Sequence, residues 1–172
     1  MQKEALLLID IHDIYFTPGE LLLHRPEDAA DKAAAVLERF RQEKKTVIHV
    51  RHNFETLSEI NERVRPVDGE KTVCKDYPSS FLKTDMREYL EENKIEKIVI
   101  VGMMSHMCVD TTARACQDYG YDVTVIEDAC TTLDLEFRGR KIPAQVVHDA
   151  YMASLDGMFA KVMTLEEYTR GI

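Results

Sequence analysis

The sequence predicts an α/β fold of three layers, with a five- or six-stranded parallel sheet and helices on both faces. Three observations carry this. Apolar runs of strand length recur along the whole chain. Segments with helical spacing of apolar residues alternate with them, which requires parallel crossovers. The strongest run, Ile98-Val99-Ile100-Val101, has no polar residue on either face, as a strand covered on both sides must.

The elements follow in order. Ala5 to Ile9 reads as a first buried strand, ending at Asp10. Ala29, Ala33, Val36, Leu37 and Phe40 mark the inner stripe of a helix, with Pro26 suited to its first turn. Thr46 to Val50 is a second strand, and Thr72-Val73-Cys74 is a short additional one. Asp85 to Glu92 reads as a helix with Met86, Tyr89 and Leu90 on one side. The Lys97–Gly102 strand leads into a helix over Met107 to Tyr119, with Gly120 as its stop. Asp122 to Ile126 is a strand. Pro143 opens a long helix with Val146, Val147, Ala150 and Leu155 expected inward, and Lys161-Val162-Met163 is a last short strand. The irregular stretch 53–71 is the expected lid or pocket loop.

A chain of 172 residues is the size of one domain, and no linker, repeat or low-complexity tract divides it, so residues 1–172 are expected to form a single domain. Apolar content of 45% with 31% charged residues excludes disorder. Asp and Glu outnumber Lys and Arg by 31 to 22; the resulting charge of -9 repels phosphate backbones and argues against a nucleic-acid partner. No apolar run approaches the ~18 residues of a membrane span, and the first residues do not form a secretory signal, so a cytoplasmic location is expected. Cys74, Cys108, Cys116 and Cys130 are then expected to be thiols. No C-x-x-C pair, H-E-x-x-H, P-loop or G-x-G-x-x-G occurs, so neither a metal nor a nucleotide cofactor is expected.

In parallel sheets, ligands bind outside the carboxyl ends of the strands. Three such ends carry reactive side chains. Asp10 closes the first strand, either as a turn former or as a buried carboxylate. Lys75 follows the short third strand, either solvated or placed to orient that carboxylate. Cys108 stands at the start of a helix after Gly102, either as a structural thiol or as a nucleophile; a helix N-terminus lowers a thiol pKa. His106 offers a competing Cys–His pair, two residues from Cys108. His12, His49, His52 and His148 show no metal-ligand pattern.

Three stretches together resemble the isochorismatase-like cysteine hydrolases: Leu6-Leu7-Leu8-Ile9-Asp10-Ile11-His12-Asp13, Val73-Cys74-Lys75-Asp76-Tyr77-Pro78-Ser79-Ser80-Phe81, and Val101-Gly102-Met103-Met104-Ser105-His106-Met107-Cys108-Val109. The similarity continues through Thr111–Ala115, Gly120-Tyr121 and Glu127–Cys130, in the family's order. The resemblance implies a Rossmann-like domain with a catalytic Asp–Lys–Cys triad of Asp10, Lys75 and Cys108. It also implies a cis peptide before Met104 and an oxyanion hole made by the N–H groups of Met104 and Cys108. His12 stands where many relatives have Gln, Asp13 where they have Asn, and Ser105 replaces the usual Thr. The Asp-x-His pair of the family's metal-bearing nicotinamidases is absent from His49-Val50-Arg51-His52-Asn53.

The activity this implies is hydrolysis of a C–N bond in a small amide-like substrate through a thioester, with no cofactor and no metal. Tyr15 and Phe81 are candidate walls of the substrate pocket, or simply core. The alternatives are an isochorismatase-type hydrolase, disfavoured by the cysteine, and a non-catalytic interaction protein on the same fold. Apolar excess at Met103, Met104, Met107, Val109, Tyr151, Met152, Met158 and Phe159 points to a homo-oligomer, a dimer or tetramer, as does the resemblance.

Overall fold

The computed structural model describes residues 3–19, 21–53 and 58–171. Its centre is a six-stranded sheet, all parallel, in the order β3-β2-β1-β4-β5-β8. These strands are β1 (Glu4–Ile9), β2 (Thr46–His52), β3 (Lys71–Lys75), β4 (Lys97–Met103), β5 (Asp122–Thr131) and β8 (Lys161–Met163). Side chains alternate across a strand, so β1 sends Leu6 and Leu8 to one face and Ala5, Leu7 and Ile9 to the other. The first face is covered by α1 (Pro26–Gln42) through Ala29, Ala33, Val36, Leu37 and Phe40, the stripe read from the sequence, and by α5 (Leu165–Arg170). The second is covered by α2 (Met86–Glu92), α3 (Asp110–Asp118) and α4 (Ala144–Leu155).

Chain order runs outward from β1 to β2 and β3, then resumes on the other side at β4. The crevice between the ends of β1 and β4 is therefore the switch point where such sheets bind ligands. Gly102 shapes that crevice. It is paired with Ile9 at φ +131°, and a Cβ there would lie 2.1 Å from the Ile9 carbonyl oxygen. Beside it the β4–β5 register shifts between Ile100 and Gly102.

Several expectations need correction. The fifth strand does not stop at Ile126: past the register shift it pairs on to Thr131. The helix after β4 begins with a wider turn over Ser105–Val109, in which Val109 N–H reaches back to Met104 O (3.3 Å), and becomes α-helical only at Asp110. In α4 the inward stripe is Ala144, Val147, Met152 and Leu155; Val146 and Ala150 face outward. A hairpin of β6 (Leu135–Phe137) and β7 (Arg140–Ile142) had no counterpart in the sequence reading, and neither had α5. Thr164 and Glu167 form a capping box at α5.

Within the expected lid, Phe54–Leu57 lie outside the described residues. The part from Ser58 onward is pinned to the exit of β1. Asp13 N–H donates to Glu59 O and Asn61 N–H to Ile11 O, Ile14 N–H donates to Ser58 Oγ, and Asn61 Nδ2 donates to Asp13 Oδ1. No helix among the described residues is long and apolar enough to cross a membrane.

Candidate active site

Asp10 leaves β1 with a left-handed backbone (φ +50°), a conformation that Asp tolerates better than most residues. The turn directs its carboxylate into the crevice, where it is fully buried. Lys75 ends β3, two strands away, and its long side chain crosses under the end of β2. Its Nζ donates to Asp10 Oδ2 at 2.6 Å and to Cys108 Sγ at 3.3 Å. Lys75 is only 1% exposed and Cys108 6%. A buried ammonium is tolerated only when paired and hydrogen-bonded, and here it is both. Three residues from three elements, 65 and 33 positions apart in its two pairings, thus meet at one nitrogen.

The ammonium has a third partner that sequence reasoning missed: His52 Nδ1, at 3.1 Å. His52 ends β2, directly opposite Lys75 in the register. Its pKa lies below the usual histidine value, first because it is buried and then because Lys75 is beside it. The only signal in the sequence was a histidine at a strand end. His12 is buried behind it. Its Nε2 accepts from His52 N–H (3.2 Å), and its Nδ1 faces Ser58 O (3.2 Å) and donates to it. Burial holds His12 neutral, so the ring supplies one donor and one acceptor.

The thiol departs from the sequence expectation. Rather than being lowered by the helix N-terminus, the Cys108 pKa is pushed up to about 12, by burial first and by the Asp10 charge second; Lys75 opposes both. In the resting site Cys108 is therefore a thiol. Asp10 Oδ1 makes no hydrogen bond to any described residue. The Met103–Met104 peptide bond is cis.

The competing Cys–His pair does not form. His106 Nδ1 bonds Thr132 Oγ1 (2.6 Å), and its ring meets Tyr151. Ser105 Oγ bonds His148 Nδ1 (2.7 Å), tying the Cys108 turn to α4. Cys116 and Cys130 are buried, and Cys74 is exposed. Tyr15 is 3% exposed; burial is the main reason its pKa is raised, and the nearby Asp10 charge adds to it. Phe81 packs its ring on Tyr119, with centroids 5.0 Å apart. Asp10, His52 and Cys108 offer donor atoms within 4.8 Å of one another, the one such metal-binding grouping among the described residues. Lys75 Nζ is bonded to all three, so a cation would have to displace the ammonium, and the residues do not fit a metal. A cleft of about 700 Å³ beyond β5, lined in part by His24, Lys32, Glu127 and His148, includes none of the three expected triad residues.

Comparison with known proteins decides the family. The Isochorismatase domain profile matches residues 4–167. The chain belongs to the isochorismatase family. It is 41% identical to YddQ, an uncharacterized isochorismatase family protein of Bacillus subtilis (strain 168), over 96% of this chain and 98% of the relative. An isochorismatase-hydrolase structure from Oleispira antarctica superposes with a TM-score of 0.94 at 40% identity, covering 99% of this chain and 97% of that one. Maleamate amidohydrolase of Pseudomonas putida (strain KT2440) is 22% identical over 96% of this chain and 85% of its own. The α/β architecture expected from the sequence is thus the architecture of isochorismatase-family proteins.

Proposed function

We propose that this isochorismatase-family chain is a cysteine hydrolase that cleaves the C–N bond of a small amide-like substrate through a thioester on Cys108, as one hydrolase domain over residues 1–172. The observation that carries this reading is the Lys75 ammonium bridging Asp10 Oδ2 and Cys108 Sγ inside the buried crevice between β1 and β4. The name of maleamate amidohydrolase points to the same class of bond.

In this reading Asp10 takes the Cys108 proton as sulfur attacks the carbonyl carbon. A raised thiol pKa suits this order, because the proton leaves only as the S–C bond forms. The N–H groups of Met104 and Cys108 hold the oxyanion; loss of one such donor typically costs about 100- to 1,000-fold in rate. Asp10 returns the proton to the departing nitrogen as the C–N bond breaks. Water then gives a proton to Asp10 and attacks the thioester, the C–S bond breaks, and the sulfur is reprotonated. Lys75 balances Asp10 throughout and stabilises the sulfur while it carries charge. Tyr15 and Phe81 are the proposed pocket walls. No step uses a cofactor. The four unbridged cysteines accord with a reducing, cytoplasmic setting.

A panel of small amides, ureides and carbamates screened for ammonia release tests the reading. Cys108→Ala is expected to abolish release from any substrate found, whereas folded Cys116→Ala keeps most of it. Near wild-type turnover by Cys108→Ala would overturn the proposal.

A further inference from the structure

We infer that His52 is a positioning residue of this site: it takes the third hydrogen of the Lys75 ammonium and thereby holds the other two on Asp10 and Cys108. The inference rests on the Asp10–Lys75–Cys108 reading above and adds a member to it. An ammonium has three N–H donors and no acceptor. In this site the three acceptors are Asp10 Oδ2 (2.6 Å), His52 Nδ1 (3.1 Å) and Cys108 Sγ (3.3 Å). Lys75 is buried, so no donor can turn to bulk water instead. Without His52 one N–H would be left unsatisfied, at the desolvation cost of a charged group, and the rotor would be free to swing from sulfur.

His52 is held for this task from both sides. Its neighbour Asn53 N–H donates to Lys75 O (2.8 Å), which fixes the end of β2 against the end of β3. Its own N–H donates to His12 Nε2. The charged groups that face the ring are Lys75 and Asp10 and, more weakly, Asp76, which also accepts from Asn53 Nδ2. Because Lys75 can only donate, His52 Nδ1 must be the unprotonated nitrogen.

The test is the pH dependence of Cys108 alkylation by iodoacetamide between pH 7 and 10, read by peptide mass spectrometry. Exposed Cys74 serves as an internal control. Alkylation follows the thiolate fraction, so a sulfur that loses its ammonium donor reacts more slowly at each pH. His52→Leu is expected to slow Cys108 about 3- to 10-fold, a shift of the profile to higher pH by up to about one unit, with Cys74 unchanged. His52→Asn, whose Oδ1 can accept in place of Nδ1, is expected to recover most of the loss. Should His52→Leu not fold, His52→Ala removes the same acceptor. If Lys75→Met shifts the profile and neither His52→Leu nor His52→Ala does, the role given to His52 is wrong while the triad reading stands. If Lys75→Met also leaves the profile unmoved, the sulfur does not feel the ammonium, and both readings fall.

Discussion

At the residue scale the decisive feature is how the Asp10 charge is shared. Its Oδ2 is bound to Lys75, and its Oδ1 has no hydrogen-bond partner among the described residues. The same charge helps keep Cys108 protonated, after the larger effect of burial. This makes a prediction with a definite sign. Asp10→Asn removes a negative charge beside the sulfur, so the thiol pKa falls and the thiolate fraction at pH 8 rises. Iodoacetamide should then alkylate Cys108 faster than in the unaltered protein, while turnover drops by about 100- to 10,000-fold for want of a base. A variant whose alkylation slows along with its turnover would contradict this account. His12 donates through Nδ1 and accepts through Nε2 without adding charge. Ser105 uses its hydroxyl on His148.

At the element scale the site depends on how β4 ends. The absence of a side chain at Gly102 lets β1 and β4 lie side by side up to the point where both turn into the crevice. A side chain at Gly102 would collide with the Ile9 backbone and would sit at a φ that L-residues avoid. Overpacking and backbone strain each cost about 1–3 kcal/mol, so Gly102→Ala is expected to lose about 3 kcal/mol or more, measured by urea denaturation. A loss under about 1 kcal/mol would mean that β1 and β4 can separate cheaply, and that Gly102 does not set the crevice. The wider turn at Ser105–Val109 then delivers Cys108 to the same point before α3 begins. Extra-wide helical turns recur at functional sites. Its anchors lie on other elements, His148 on α4 and Thr132 just past β5.

At the scale of the whole molecule, the sheet order brings Asp10 from its third strand and Cys108 from beyond its fourth, and Lys75 reaches them from the edge. The apolar residues from which self-association was inferred divide on folding. Met103, Val109 and Met152 are core, Met104 and Phe159 pack against it, and Tyr151 meets His106. Met158 (72% exposed) and Met107 remain outside, joined by Val146 on the outer side of α4. We still propose a dimer or tetramer, now on those outward residues. Light scattering at micromolar concentration should give at least twice the chain mass; a single-chain mass that does not change on concentration would refute it.

The sequence alone determined the parallel α/β layout and the three triad candidates, because buried strands and helix stripes are written in local apolar spacing. A carboxylate, an ammonium group and a thiol at strand ends were visible for the same reason. Local spacing could not show that β5 runs on through Glu127 and Asp128, since two charges in a row look like an end; they lie in the register shift, past which Cys130 and Thr131 resume the pairing with β4. It misjudged α4, where Val146 and Ala150 are apolar but lie on the wrong arc to reach the sheet. It could not give the thiol its protonation state, which depends on burial and on a charge 98 positions away at Asp10. Nor could it find His52, whose task exists only because parallel pairing sets it opposite Lys75. Hydrogen bonds to a buried ammonium are matters of distance in space, and only the tertiary structure decides those distances.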